Sequence, residues 1–174
     1  MSRQQRCGQA ATLLLAVPLA VLLAGCAPSL NWRAVQLGRL GTLLPCKPDH
    51  GSRPVELAGQ PVTMEMSGCA VGEALFTISR IQAGDTQQAS TLLVALRQAT
   101  LAQVHAAALH PLPNSGDSNS SLDLQVDALG PQGRPLQVRL KWLLVQDELY
   151  QLAAYAEQLG AEQTENLFQQ ARIN

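Results

Sequence analysis

Between residues 122 and 144, apolar and polar side chains alternate with a period of two on both sides of a turn. Leu122, Leu124 and Val126 alternate with Asp123, Gln125 and Asp127. After Gly130-Pro131-Gln132-Gly133, the residues Leu136, Val138, Leu140, Trp142 and Leu144 alternate with Gln137, Arg139 and Lys141. Successive side chains of a strand point to opposite faces, so this pattern predicts a β-hairpin with one apolar face. Such a face has to be covered, which restricts the fold to a sheet with another layer packed on it. The outer face sets acids on one strand against bases on the other, which favours pairing.

Shorter signals extend the pattern. Trp32 to Leu37 reads as a strand, and Leu43 to Pro48 ends a second extended piece, because Pro45 and Pro48 restrict the residues before them. Val62 to Met66 and Ala74 to Ser79 alternate as strands, with Gly68 and Gly72 bracketing the turn between them. Leu149 to Ala156 is expected to return beside the hairpin. Asp85 is suited to cap a long helix, with Gln88 completing a capping box. That helix is expected to reach about Ala108. Leu92, Leu93, Leu96, Ala99, Val104 and Ala107 would share its buried face, with Arg97 and Gln98 opposite. Glu162 to Ala171 predicts a short helix, with Glu162 and Glu165 at its positive end and Leu167, Phe168 and Ala171 facing inward. Pro111 to Ser121 has the composition of a turn-rich loop. The fold class expected is α+β: an antiparallel sheet with a long helix and a C-terminal helix packed on it.

The N-terminus reads as an export signal. Arg3 and Arg6 precede an uncharged run from Ala10 to Ala24, which ends in Leu23-Ala24-Gly25-Cys26. This ending resembles the lipobox of bacterial lipoproteins, whose last residue is the lipidated cysteine. The resemblance implies a cleaved signal peptide over 1–25, a lipidated tether over 26–31 and a single α+β domain over 32–174. A transmembrane helix fits less well, because the run is shorter than about 20 residues and Pro18 interrupts it. An ordinary cleaved signal, with Cys26 playing no part, is the other alternative. Ala27 stands where an Asp would favour the inner membrane, so the outer membrane, facing the periplasm, is expected. A tether from Ala27 to Asn31 reaches under about 20 Å, which keeps the domain against its membrane.

The chain carries 12 basic and 13 acidic residues. Loss of residues 1–25 removes Arg3 and Arg6 but no acid, leaving 10 basic and 13 acidic residues. No basic stripe remains to neutralise phosphates, so nucleic acid is not an expected partner. Of four cysteines, Cys7 would leave with the signal and Cys26 would be acylated. Cys46 and Cys69 then form an even pair in an oxidising compartment, which favours a disulfide. A redox or metal pair is the alternative, though no C-x-x-C spacing exists.

Candidate chemistry is sparse, and no catalytic, metal or cofactor residue is assigned. His105 and His110 are five apart, whereas a metal pair on a helix wants four. His50 follows Asp49 and is expected in a turn. Gly116-Asp117-Ser118 matches the start of an esterase motif but sits in the Pro/Asn/Ser loop, without the strand that would aim the serine. Asp123 with Asp127, and Asp147 with Glu148, could serve as carboxylate pairs, yet solvated faces are the expected setting. Gly38 and Gly41 lack the lysine and the context of a phosphate loop. Met64 and Met66 share a strand face and suit either core packing or an adaptable apolar pocket.

Leu44-Pro45-Cys46-Lys47-Pro48-Asp49, Ser67-Gly68-Cys69-Ala70, Ala74-Leu75-Phe76, Tyr150-Gln151 and Asn166-Leu167-Phe168 together resemble a group of small uncharacterised proteobacterial envelope proteins. Such sequences look like the PsbP-like α/β/α sandwich, and the resemblance covers nearly all of residues 31–174. PsbP is an accessory, non-catalytic subunit of photosystem II, so the resemblance implies an assisting role and carries over no functional residue. Two functions follow as expectations. The first is a membrane-anchored, non-catalytic interaction or accessory module with an envelope protein partner. The second is a carrier for an apolar ligand or lipid, held in a closed gap between the long helix and the sheet.

Overall fold

The computed structural model describes residues 30–112 and 121–174. The segment over 1–25, Cys26 and the stretch containing Ser118 lie outside the described residues. A short hairpin comes first, β1 (Arg33–Leu37) and β2 (Leu40–Leu44). Then follow β3 (Asp49–Leu57), β4 (Gln60–Val71), β5 (Ala74–Gln82), helix α1 (Thr86–Gln103) and β6 (Ala108–Pro111). The chain closes with β7 (Ser121–Leu129), β8 (Pro135–Val145), β9 (Glu148–Ala156), helix α2 (Ala161–Gln169) and β10 (Arg172–Ile173).

Strands β3 to β9 form one antiparallel sheet in the order β3-β4-β5-β9-β8-β7-β6, while β1-β2-β10 form a small second sheet. The order has a simple cause. Two meanders, β3-β4-β5 and β6-β7-β8-β9, join at β5 and β9, and α1 carries the chain from the centre to the far edge between them. The apolar face read from the hairpin is the one α1 covers. Ala89, Leu92, Leu93 and Leu96 pack there with Val126, Val138, Leu140 and Trp142. The opposite face is covered by the small sheet and α2. Leu40, Leu44, Leu167 and Phe168 meet Phe76, Ile78, Tyr150, Leu152 and Ala154 there. The chain is therefore an α+β sandwich with one helix on each side of an antiparallel sheet.

Several expectations are corrected. Residues 49–57 form an edge strand rather than a loop, so His50 lies opposite Ser67 in a ladder. Gly68 sits inside β4 rather than in a turn. A Cβ there would come within 2.9 Å of the Phe76 carbonyl, so the close approach of β5 requires a glycine. Helix α1 ends at Gln103; a turn and a short irregular stretch over 104–107 stand where its last turn was expected, and β6 follows. Its face turns slightly from the expected one: Thr100 is buried where Ala99 was expected, and Ala99 is exposed. Arg97 is partly buried with its guanidinium 5.8 Å from the Trp142 ring centroid, not on the solvent side. Asp85 does cap Gln88 N–H at 2.8 Å. Gln88, however, reaches back to the Gly84 N–H, at 2.6 Å, rather than to its own cap residue.

The outer face of the hairpin is solvated only in part: Asp127 is exposed, as expected, but Asp123 is not. Asp123 is 6% exposed. It receives Arg139 Nε at 3.2 Å and the second guanidinium nitrogen at 3.0 Å, and Arg139 stacks over Phe168 of α2 at 4.3 Å. Lys141 stands opposite Asp123 in the ladder, as expected, and its ammonium donates to the Phe168 carbonyl at 3.4 Å. Glu148, expected at a solvated turn, is 5% exposed.

Candidate functional site

Two places concentrate polar chemistry: a buried charge network on one face of the sheet and a cleft on the other.

The network joins the small hairpin to the sheet. Glu148 accepts from Arg39 Nε at 2.6 Å and from the Tyr150 hydroxyl at 2.9 Å. Its other oxygen takes the Arg80 guanidinium, whose remaining nitrogen reaches Glu65 at 3.0 Å. Burial disfavours the Glu148 anion, but hydrogen bonds from Arg39, Arg80 and Tyr150 outweigh it and hold the carboxyl below its ordinary range. Burial likewise raises the Tyr150 phenol. Gly38 closes the network from above with φ +55°, and a Cβ there would meet the Arg80 guanidinium and come within 2.7 Å of the Tyr150 hydroxyl. That gives Gly38 a structural role. Two cations bracketing one buried anion, with every carboxylate oxygen bonded, form a clamp rather than an acid–base pair.

The cleft arises because α1 does not cover the whole sheet face. It packs against β8 and β9, with Arg97 over Trp142 and Thr100 on Gln151. Toward its C-terminus the floor formed by β4, β5 and the end of β9 stays open. The cavity has a volume of about 650 Å³. Met64, Met66, Thr77, Ser79, Gln151 and Tyr155 make its floor. Leu96 and Thr100 of α1 form one wall, and Leu129 and Leu136 at the β7–β8 turn form another. Leu75 and Leu129, at the mouth, are 43% and 51% exposed. Arg53 and His105 stand on its margins, and among the described lining residues there is no carboxylate.

Gln151 orients the floor. Its amide oxygen accepts from Thr100 Oγ1 at 2.8 Å and from Trp142 Nε1 at 2.7 Å. An indole N–H only donates, so the oxygen has to face Trp142 and the amino group has to point away. The buried Trp142 thereby fixes the direction of two donors on a cleft-lining residue. Burial raises the Tyr155 phenol, which stays a neutral donor at neutral pH. Donors prevail on this surface, and its apolar part is rich in Met and Leu.

The residues singled out by sequence are scattered. Cys46 and Cys69 form a disulfide, with Cα atoms 5.9 Å apart. His50 Nδ1 is hydrogen-bonded to Ser67 Oγ, but Ser67 is 1% exposed and no substrate could reach it. His105 lies in the turn after α1 with φ +49°. His110 is on β6, with Nε2 2.9 Å from Asp127. Among the described residues no three His, Cys, Asp or Glu side chains converge as metal ligands. Met64 and Met66 do lie together, and both face the cleft. Gln151, Thr100, Ser79 and Tyr155 were missed. The available signal was polar residues recurring on strand positions whose neighbours two along face an apolar layer.

No protein-family model matches the chain, and the curated proteins offer no match to it. Among the described residues no helix is long and apolar enough to cross a membrane.

Proposed function

We propose that this chain is a membrane-anchored periplasmic lipoprotein, acylated at Cys26, that binds an acyl-bearing amphipathic molecule in the cleft beside α1. The observation that carries this reading is the cleft itself. It is an open cavity of about 650 Å³ with a Met- and Leu-rich lining. Flexible thioethers suit chains of variable shape, and the oriented Gln151 amino group suits an ester or carboxylate oxygen. This differs from the closed, dry gap expected from sequence: the site is open at one end and polar along part of its floor. The N-terminal Leu23-Ala24-Gly25-Cys26 supports the anchor. The resemblance to PsbP-like sandwiches supports a non-catalytic, assisting role, and the helix on each face of an antiparallel sheet is compatible with it.

Titration of the purified protein with the fluorescent fatty acid cis-parinaric acid tests the reading. Saturable binding is expected, and Thr77→Trp, which fills the floor, should abolish it without changing the melting temperature. Absence of binding, or equal binding by the variant, ends this reading.

The edge strand β3 favours a second reading, docking of an envelope protein. All of Asp49–Pro54 is exposed, and no strand pairs with its outer side among the described residues. An open edge can accept an added strand. A photocrosslinker at Ser52 that captures one partner in stoichiometric amount would favour docking over ligand binding.

A further inference from the structure

The path of the chain from the anchor bears on where the cleft opens. The Asn31 N–H donates to the Pro45 carbonyl at 2.8 Å, which ties the entering chain to the end of β2. The next residue, Cys46, is bonded to Cys69 of β4. Cys69 lies opposite Phe76, and its neighbour Ala70 lies opposite Leu75. The entry of the chain is therefore stapled to the end of the sheet that carries the β4–β5 turn. The same end holds Tyr155, which is opposite Leu75, and the β7–β8 turn beside Leu129 and Leu136. These residues form the cleft mouth. Helix α1 starts at the other end and reaches this one with its C-terminal half.

Distances decide which end lies near the membrane. Leu30 is four residue steps from Cys26, a reach of roughly 14 Å for an extended chain. A nine-residue strand such as β9 spans about 30 Å, so the far end of the sheet lies beyond the tether. The mouth also carries two exposed leucines, Leu75 and Leu129. The other large exposed apolar side chains, Val94, Leu109 and Ile173, are on three separate elements. Arg134 at this end is paired with Glu157 at 3.0 Å.

We infer that the cleft opens onto the leaflet that holds the anchor, and that its occupant is an acyl chain of a phospholipid drawn from that leaflet. The inference rests on the acylated, ligand-binding reading above. Leu75 and Leu129 touch the bilayer surface, the acyl chain runs over Met64 and Met66, and its ester oxygens meet the donors on Gln151 and Tyr155.

The test uses the full-length acylated protein in vesicles of phosphatidylethanolamine and phosphatidylglycerol with brominated acyl chains, which quench nearby indoles. Tryptophan is placed at the mouth by Leu75→Trp and Leu129→Trp, and at the far end by Gln87→Trp. Emission is read against the unsubstituted protein, whose Trp32 and Trp142 set the background. The mouth indoles should lose most of their added emission and the far-end indole should keep it. Quenching at Gln87→Trp equal to that at the mouth, no quenching at the mouth, or failure of the protein to remain with the vesicles overturns the proposal. Retained cis-parinaric acid binding with an unquenched mouth would remove the orientation alone. A quenched mouth on a protein that binds no acyl probe would remove the cleft as a lipid site.

Discussion

The two faces of the central sheet are closed by different means. On the face of the small sheet and α2, closure is cross-linked and charged. The Cys46–Cys69 disulfide, the Arg39–Glu148–Arg80 clamp and the Thr42 hydroxyl donating to the Leu167 carbonyl at 2.6 Å all tie separate elements together. On the α1 face, closure is mainly apolar burial by a single helix, with isolated polar ties such as Thr100 to Gln151, and it stops short of one end. Specific polar ties hold pieces too small to bury much surface alone, such as a five-residue hairpin and a two-residue strand. A long helix can be held by burial alone, and it can leave floor uncovered without coming loose. The cleft lies on the face where incomplete closure is tolerated.

The largest effect that would test this contrast is removal of the clamp's anion. Glu148→Ala should cost about 3 kcal/mol, near the lower end for breaking a buried pair because Arg39 keeps access to water. Chemical denaturation measures it, and a loss under about 1 kcal/mol would mean that apolar packing holds both faces alike. Cys46→Ser should cost up to about 3 kcal/mol, since the bridge closes a loop of about 24 residues. Excess reductant should erase the difference from the unsubstituted protein, and equal melting without reductant would place the strength of that face elsewhere. Gly38→Ala should cost about 1–3 kcal/mol, because it combines positive φ with a clash above Arg80 and Tyr150.

The pH dependence sharpens the same comparison. The folded Glu148 carboxyl lies below its ordinary range, so the unfolded chain binds its proton first as pH falls. Its contribution is complete above the unfolded value of about 4.3 and is lost as pH drops toward the folded value. Glu148→Gln should therefore flatten the acid limb of a stability–pH curve, and an unchanged limb would exclude the clamp as its source. The smallest effect belongs to the open face. Leu129→Ser, at the cleft mouth, should change stability by less than about 0.5 kcal/mol while weakening acyl-probe binding. A larger loss of stability would show that the mouth is packed.

Much of this architecture follows from local pattern. The alternation over Leu122–Leu144 named both hairpin strands and their buried face. Asp85 marked the start of α1, and Cys46 with Cys69 marked the bridge by elimination. Residues 49–57 escaped because Gly51 and Pro54 in a largely polar run do not alternate, as an edge strand with little to bury need not. Helix α1 appeared longer because Val104, Ala106 and Ala107 continue an apolar composition, whereas pairing of β6 with β7 ends it. Asp123 and Glu148 looked solvated because sequence shows charge but not what lies above it.

By itself, then, the sequence determined the periods, caps and turns, and hence an antiparallel sheet with helices on it, because those depend on neighbours within a few residues. The tertiary structure decided which polar residues were buried together. Arg39 meets Glu148, and Thr100 meets Gln151, across separations of 109 and 51 residues. The cleft belongs to that second class. It exists because α1 leaves part of the sheet face uncovered beside its C-terminal half, which no local pattern records.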